Sequence, residues 1–203
     1  MALIRRVGPG TRLKGKRVAI IVAQEFEDIE LLYPFVRLSE EGAEVIIVPV
    51  KRGIHPRPAL HDKPITGRYG TPIPLQVFRE GERHLIRELK DVKVEDIDAI
   101  IIPGGFSPDN LRIVPDVLEF VKKANEQGKV IAAICHGPQV LISAGIIRGR
   151  KATGFLAVKD DLINAGAEFV NQPAVKDGNI ITARVPDDLP EFCQLIIEAM
   201  SSR

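Results

Sequence analysis

Short, uninterrupted runs of β-branched and aliphatic residues alternate with segments of helix length, and this alternation restricts the fold more than any other feature of the sequence. Val-Ala-Ile-Ile-Val from Val18, Ala-Ile-Ile-Ile from Ala99 and Val-Ile-Ala-Ala-Ile from Val130 contain no polar residue. A strand wetted on one face alternates in polarity, so these runs belong in a sheet covered by helices on both faces. Strands are expected over 17–23, 44–49, 99–103, 130–135, 151–154 and 180–185, and helices over 28–41, 115–127, 138–144, 159–165 and 188–201. Strands and helices in this order predict an α/β doubly wound sandwich with a parallel sheet.

The 203 residues suit one domain over 16–203, preceded by an N-terminal extension over 1–15. An insertion over 51–94 holds Pro56, Pro58, Pro64, Pro72 and Pro74 around Thr66-Gly-Arg-Tyr-Gly70. It reads as a small hairpin followed by a charged helix over 82–90. Lys and Arg number 28 against 27 Asp and Glu, a net charge of +1, so no global field draws the chain to nucleic acid. No apolar run approaches the roughly 18 residues of a membrane span. The basic start breaks at Gly8-Pro9-Gly10 before a signal-peptide core, so a cytoplasmic location is expected. Two cysteines are too few for a disulfide framework, and each is judged alone.

Ala23-Gln-Glu-Phe-Glu-Asp28 follows the first strand where a dinucleotide fold places its glycines, and no phosphate-binding Gly-Lys-Ser/Thr loop occurs. No cofactor or metal is expected. His55, His61 and Asp62 lie close together but match no standard ligand spacing and read as a solvated loop.

Chemistry concentrates at Ala133-Ile-Cys-His-Gly-Pro138. A buried strand runs into Cys135, and Gly137 with Pro138 turns the chain into a helix, the small-x-nucleophile-x-Gly spacing of a nucleophile elbow. The plainer possibility is a core thiol at a strand end. On the elbow reading, the helix N-terminus lowers the thiol pKa from about 8.5. Of the four histidines, His55, His61, His84 and His136, none lies far downstream, so a papain-like arrangement is excluded and His136 is the adjacent candidate base. Loops leaving parallel strands share one edge of the sheet, which brings Glu25, Glu27, Asp28 and the Gly104-Gly105 pair towards Cys135. Asp28 reads as a helix-start residue, and the amides at Gly104, Gly105 and His136 as oxyanion donors. Cys193 reads as core.

Gln24-Glu-Phe-Glu-Asp-Ile-Glu-Leu, Ile102-Pro-Gly-Gly, Ala133-Ile-Cys-His-Gly-Pro-Gln, Gly149-Arg-Lys-Ala-Thr, Lys159-Asp-Asp-Leu-Ile-Asn-Ala-Gly-Ala and Arg184-Val-Pro-Asp-Asp-Leu-Pro resemble the PfpI family of intracellular proteases. That family lies in the superfamily of the Parkinsonism-associated deglycase, which has a class I glutamine amidotransferase-like fold. The resemblance implies a flavodoxin-like sandwich that assembles with itself into dimers or higher oligomers. It implies Cys135 as nucleophile, Glu27 as the acid hydrogen-bonded to its sulfur, and His136 beside it. Asp109 falls where the family places an acid, often Glu, that reaches the histidine from a neighbouring subunit. Family members are described as glyoxalases or deglycases, as peptidases and as stress chaperones. Carbonyl chemistry on glyoxal-type substrates ranks first, because a small thiolate site adds to an aldehyde without a peptide groove. A cysteine peptidase ranks second and a redox-sensing chaperone without turnover third.

Overall fold

A computed structural model describes residues 12–51, 63–75 and 85–202. The main sheet is built from β1 (Arg17–Val22), β2 (Glu44–Pro49), β3 (Leu85–Ile86), β4 (Ala99–Ile102), β5 (Val130–Ile134), β8 (Ala174–Asp177) and β9 (Ile180–Ala183). Its strand order is β3-β2-β1-β4-β5-β9-β8, parallel throughout except for the antiparallel β8–β9 edge. The mostly parallel, flavodoxin-like sandwich is therefore present.

Period-two alternation divides each central strand between two cores. Val18, Ile20 and Val22 of β1 pack with Leu31, Phe35 and Leu38 of α1 (Asp28–Glu40) and with Phe192, Ile196 and Met200 of α6 (Leu189–Ser201). Ala19 and Ile21 face the other way, towards Val117 and Val121 of α3 (Pro115–Glu126), Val140 and Leu141 of α4 (Pro138–Ser143) and Leu162 of α5 (Lys159–Asn164). Pro34 sits buried inside α1, which runs through it.

Several expected elements differ. Leu85–Ile86, assigned to a charged helix, instead forms the edge strand β3 parallel to β2, with Leu89–Asp91 following as a 3-10 turn. The apolar Leu-Ile pair gains more by covering Ile46 and Ile47 than a charged helix would on the surface. Lys151–Ala152 (β6) pairs with Glu168–Phe169 (β7) in a separate two-stranded sheet. The partner of β9 is the polar edge strand β8, Ala-Val-Lys-Asp, whose mixed composition hides it in the sequence. A short helix, α2 (Ser107–Leu111), was also not expected. The small hairpin does form, closing through a bridge between Thr66 and Pro72. His55, His61, Asp62 and His84 lie outside the described residues. No helix among the described residues is long and apolar enough to cross a membrane.

Candidate active site

The chain leaves β1, β4 and β5 at one edge of the sheet. β1 lies between β2, which follows it in sequence, and β4, so the connections from β1 and β4 run to opposite sides and open a crevice. Cys135 stands in it at the end of β5.

Its φ is +61°, a conformation non-glycine residues rarely adopt and whose strain is of order 1–3 kcal/mol. Neighbouring bonds fix that turn. The Cys135 N–H donates to the Ala183 carbonyl at 3.0 Å, its own carbonyl accepts from Phe155 N–H at 2.9 Å, and Gly137 N–H donates to Ile134 at 2.8 Å. Gly137 is required here, since a Cβ would lie 2.4 Å from the Ile102 carbonyl oxygen. Gly104 is required for the same reason, because its Cβ would lie 2.6 Å from that of Cys135. The strained turn expected from the elbow spacing is thus observed.

The acid beside the sulfur is Glu30, and this corrects the placement of Glu27. Glu30 lies on α1, fully buried, with Oε2 accepting the Gly104 N–H at 2.6 Å. Its other oxygen has no hydrogen-bond partner within the described residues, and the carboxyl interacts with the Cys135 thiol. Burial pushes its pKa up to about 8, against the lowering effect of the Gly104 amide. Glu27 precedes the helix, and its Oε2 pairs with Arg68 Nη1 at 3.1 Å. The physical reason is helical phase. Glu30, Pro34 and Leu38 recur every four residues along the buried stripe of α1, whereas Glu27 stands at the helix start.

The thiol does not have the depressed pKa expected from a helix N-terminus. Burial, and then the negative charge of Glu30, push Cys135 up to about 12, outweighing the backbone amides of Gly105 and His136, which favour the thiolate. Helix α4 has only six residues, too short a dipole to offset a half-buried sulfur. The repulsion from Glu30 acts only when Glu30 is ionised. Cys135 and Glu30 therefore titrate as a pair, and a Glu30 that keeps its proton offers a donor to thiolate sulfur.

His136 Nδ1 lies 3.3 Å from Cys135 Sγ, and its ring rests against Phe155 with centroids 5.1 Å apart. Burial lowers its pKa, Asp109 opposes this, and Arg68 adds to it. Asp109 of the same chain is exposed on α2, close enough to act electrostatically on His136 without a hydrogen bond to it. The Gly104 N–H is taken by Glu30, so Gly104 is not an oxyanion donor. Gly105 and His136 retain that possibility. Asp28 is not a helix cap. Its carboxylate accepts Tyr69 N–H and Thr71 N–H, each at 2.8 Å, and anchors the hairpin above the site. Arg68 on that hairpin and Glu30 are the two site residues that reading the sequence missed. Cys193 is buried on α6, and burial pushes its thiol up to about 12. No group of three His, Cys, Asp or Glu among the described residues is arranged to hold a metal.

The profile of the DJ-1/PfpI family matches residues 16–199. This chain belongs to the DJ-1/PfpI family. A deglycase of Pyrococcus abyssi is 42% identical over 184 residues, covering 89% of this chain and 99% of the relative. The putative cysteine protease YraA of Bacillus subtilis is 38% identical, covering 87% and 94%. Among solved structures, a two-domain protein of Anabaena variabilis with DJ-1/ThiJ/PfpI-like and ferritin-like domains superposes with a TM-score of 0.76 at 37% identity. That match spans 90% of this chain and 47% of the longer one.

Proposed function

We propose that this DJ-1/PfpI protein is a cysteine-dependent enzyme of glyoxalase or deglycase type, with Cys135 as nucleophile and Glu30 as its proton-exchanging partner. The observation that carries the reading is a fully buried carboxyl, shifted to about 8, against a thiol on a strained elbow. Sulfur adds to the aldehyde carbon of a 2-oxoaldehyde, and the carbonyl oxygen takes up a proton as the hemithioacetal forms. Glu30 as carboxylate then removes the C1 proton, and the resulting enediol is reprotonated at C2 to give a thioester. Water cleaves the thioester and returns the thiol, so that one methylglyoxal and one water become one lactate. Amides at Gly105 and His136 face the oxygen charge in the first step. The Pyrococcus abyssi relative's name, a deglycase, supports this class of chemistry.

Peptide hydrolysis is the second reading. The 3.3 Å approach of His136 to the sulfur favours it, because a histidine at that distance can take the thiol proton and deliver one to a leaving amine. Purified protein assayed for both lactate from methylglyoxal and peptide cleavage decides between them. The carbonyl reading expects lactate that disappears in Cys135→Ala and falls at least 100-fold in Glu30→Gln. Cys135-dependent peptide cleavage without Cys135-dependent lactate reverses the order. A third activity class, a thiol sensor or chaperone, is favoured if neither product forms.

We further propose that the chain assembles with itself and that Asp109 of a neighbouring subunit orients His136, beyond the electrostatic effect of the same chain's Asp109. Mixing Cys135→Ala with Asp109→Ala subunits then generates sites that take Cys135 from one chain and Asp109 from the other, and activity that does not exceed that of the unmixed subunits despite proven subunit exchange counts against the role.

A further inference from the structure

Arg68 is held over the crevice by bonds that do not involve its own charge. Asp28 fixes the hairpin through the Tyr69 and Thr71 amides, and Arg68 N–H donates to the Phe26 carbonyl at 2.9 Å. Gly67 leaves no room for a side chain, since a Cβ there would lie 2.4 Å from the Asp28 carboxylate. The guanidinium carbon sits 5.4 Å from the ring centroid of Phe106, the residue that follows Gly105, and 5.8 Å from that of Tyr69. One of its nitrogens bonds Glu27, and no other hydrogen bond from it is made among the described residues. The group remains 41% exposed in its side chain, and its charge reaches both Glu30 and His136.

We propose that Arg68 is an anion-recognition residue of this site, selecting substrates that carry a carboxylate near the carbon attacked by Cys135. The inference rests on the reading of Cys135 as nucleophile. A guanidinium has five donors in a planar fork, and engaging Glu27 through one nitrogen leaves an edge for a second carboxylate. The two aromatic faces hold the plane in position, so less freedom is lost on binding than for an unrestrained arginine. Glu27 competes for the same cation and tempers its affinity for anions.

Alkylation of Cys135 tests this without requiring turnover. Iodoacetate and iodoacetamide transfer the same kind of carbon to sulfur, forming an S–C bond as iodide departs, but only iodoacetate carries a carboxylate. Peptide mass mapping gives both rates at Cys135, and their ratio cancels changes in thiol ionisation. The iodoacetate-to-iodoacetamide ratio is expected to fall about tenfold in Arg68→Ala, to stay within about threefold in Arg68→Lys, and to rise in Glu27→Gln. An unchanged ratio in Arg68→Ala overturns the proposal. Methylglyoxal hemithioacetals of N-acetylcysteine and N-acetylcysteamine, which differ by one carboxylate, supply the turnover arm. Loss in Arg68→Ala of a preference for the N-acetylcysteine adduct supports anion selection in catalysis. An altered alkylation ratio with neither adduct converted retains the anion site and refutes the carbonyl reading. Conversion of both adducts with unchanged ratios refutes Arg68 and leaves the carbonyl reading standing.

Discussion

The two ends of the central sheet are built on opposite principles. At the edge where the strands begin, charges are paired and half-buried. Arg17 Nε meets Glu44 at 2.6 Å, Lys16 Nζ meets Asp98 at 3.4 Å, and Asp98 also accepts the Arg17 backbone N–H at 2.8 Å. At the edge where the strands end, Glu25 and Cys135 both hold φ of +61°, and Glu30 is buried against Cys135 with one oxygen that has no close hydrogen-bond partner among the described residues. The first arrangement contributes modest stability and little else. The second stores strain and an unfavourable burial, and this is the ground on which the chemistry is proposed at the carboxyl edge.

The contrast breaks most readily at the elbow. Gly137→Ala drives a Cβ into the Ile102 carbonyl and is expected to remove about 3 kcal/mol or more of stability together with at least 100-fold of activity, read by denaturant unfolding and turnover. The burial of Glu30 sharpens it. Because folding raises this carboxyl from 4.5 to about 8, the neutral form is favoured in the fold and the stability associated with it is full below pH 4.5 and lost as pH rises through about 8. Glu30→Gln should therefore become more stable than wild type by an amount that grows across pH 4.5–8 and levels off at roughly 3–5 kcal/mol. A pH-independent difference in unfolding would contradict this.

Strain at Cys135 predicts a smaller effect. Cys135→Gly and Cys135→Ala both remove the sulfur, but only glycine accepts φ of +61° freely, so the glycine variant should be the more stable by about 1 kcal/mol. At the opposite edge, Glu44→Gln is expected to change stability by no more than about 0.5 kcal/mol and to leave turnover unaltered, because its partner Arg17 is 42% exposed.

The sheet was legible because strands buried on both faces must be continuously apolar, and β1, β4 and β5 are. Expected boundaries ran one or two residues long at Ala23, Pro103, Cys135 and Val185, where the chain leaves the ladder to form the site. Edge strands escaped notice, since two residues at Leu85–Ile86 and the mixed Ala174–Asp177 carry too short a pattern. Cys135 and His136 could be located because an elbow needs particular neighbours in sequence, and Gly105 because loops leaving parallel strands share one edge of the sheet. The acid could not be chosen by proximity among Glu25, Glu27, Asp28 and Glu30. Helical phase would have chosen it, since Glu30 precedes the core residue Leu31 and lies four residues before Pro34 on the buried stripe. Arg68 has no local signature, because a tertiary clamp from Asp28 creates its position.

The pairing of Cys135 with Glu30 is tested most directly by the pH profile of Cys135 alkylation by neutral iodoacetamide in wild type, Glu30→Gln and Glu27→Gln. The rate is expected to go on rising above pH 8 in wild type and in Glu27→Gln, because the ionised Glu30 holds the thiol up, and to rise at lower pH in Glu30→Gln, which removes that charge. A profile moved by Glu27→Gln and untouched by Glu30→Gln would contradict the account.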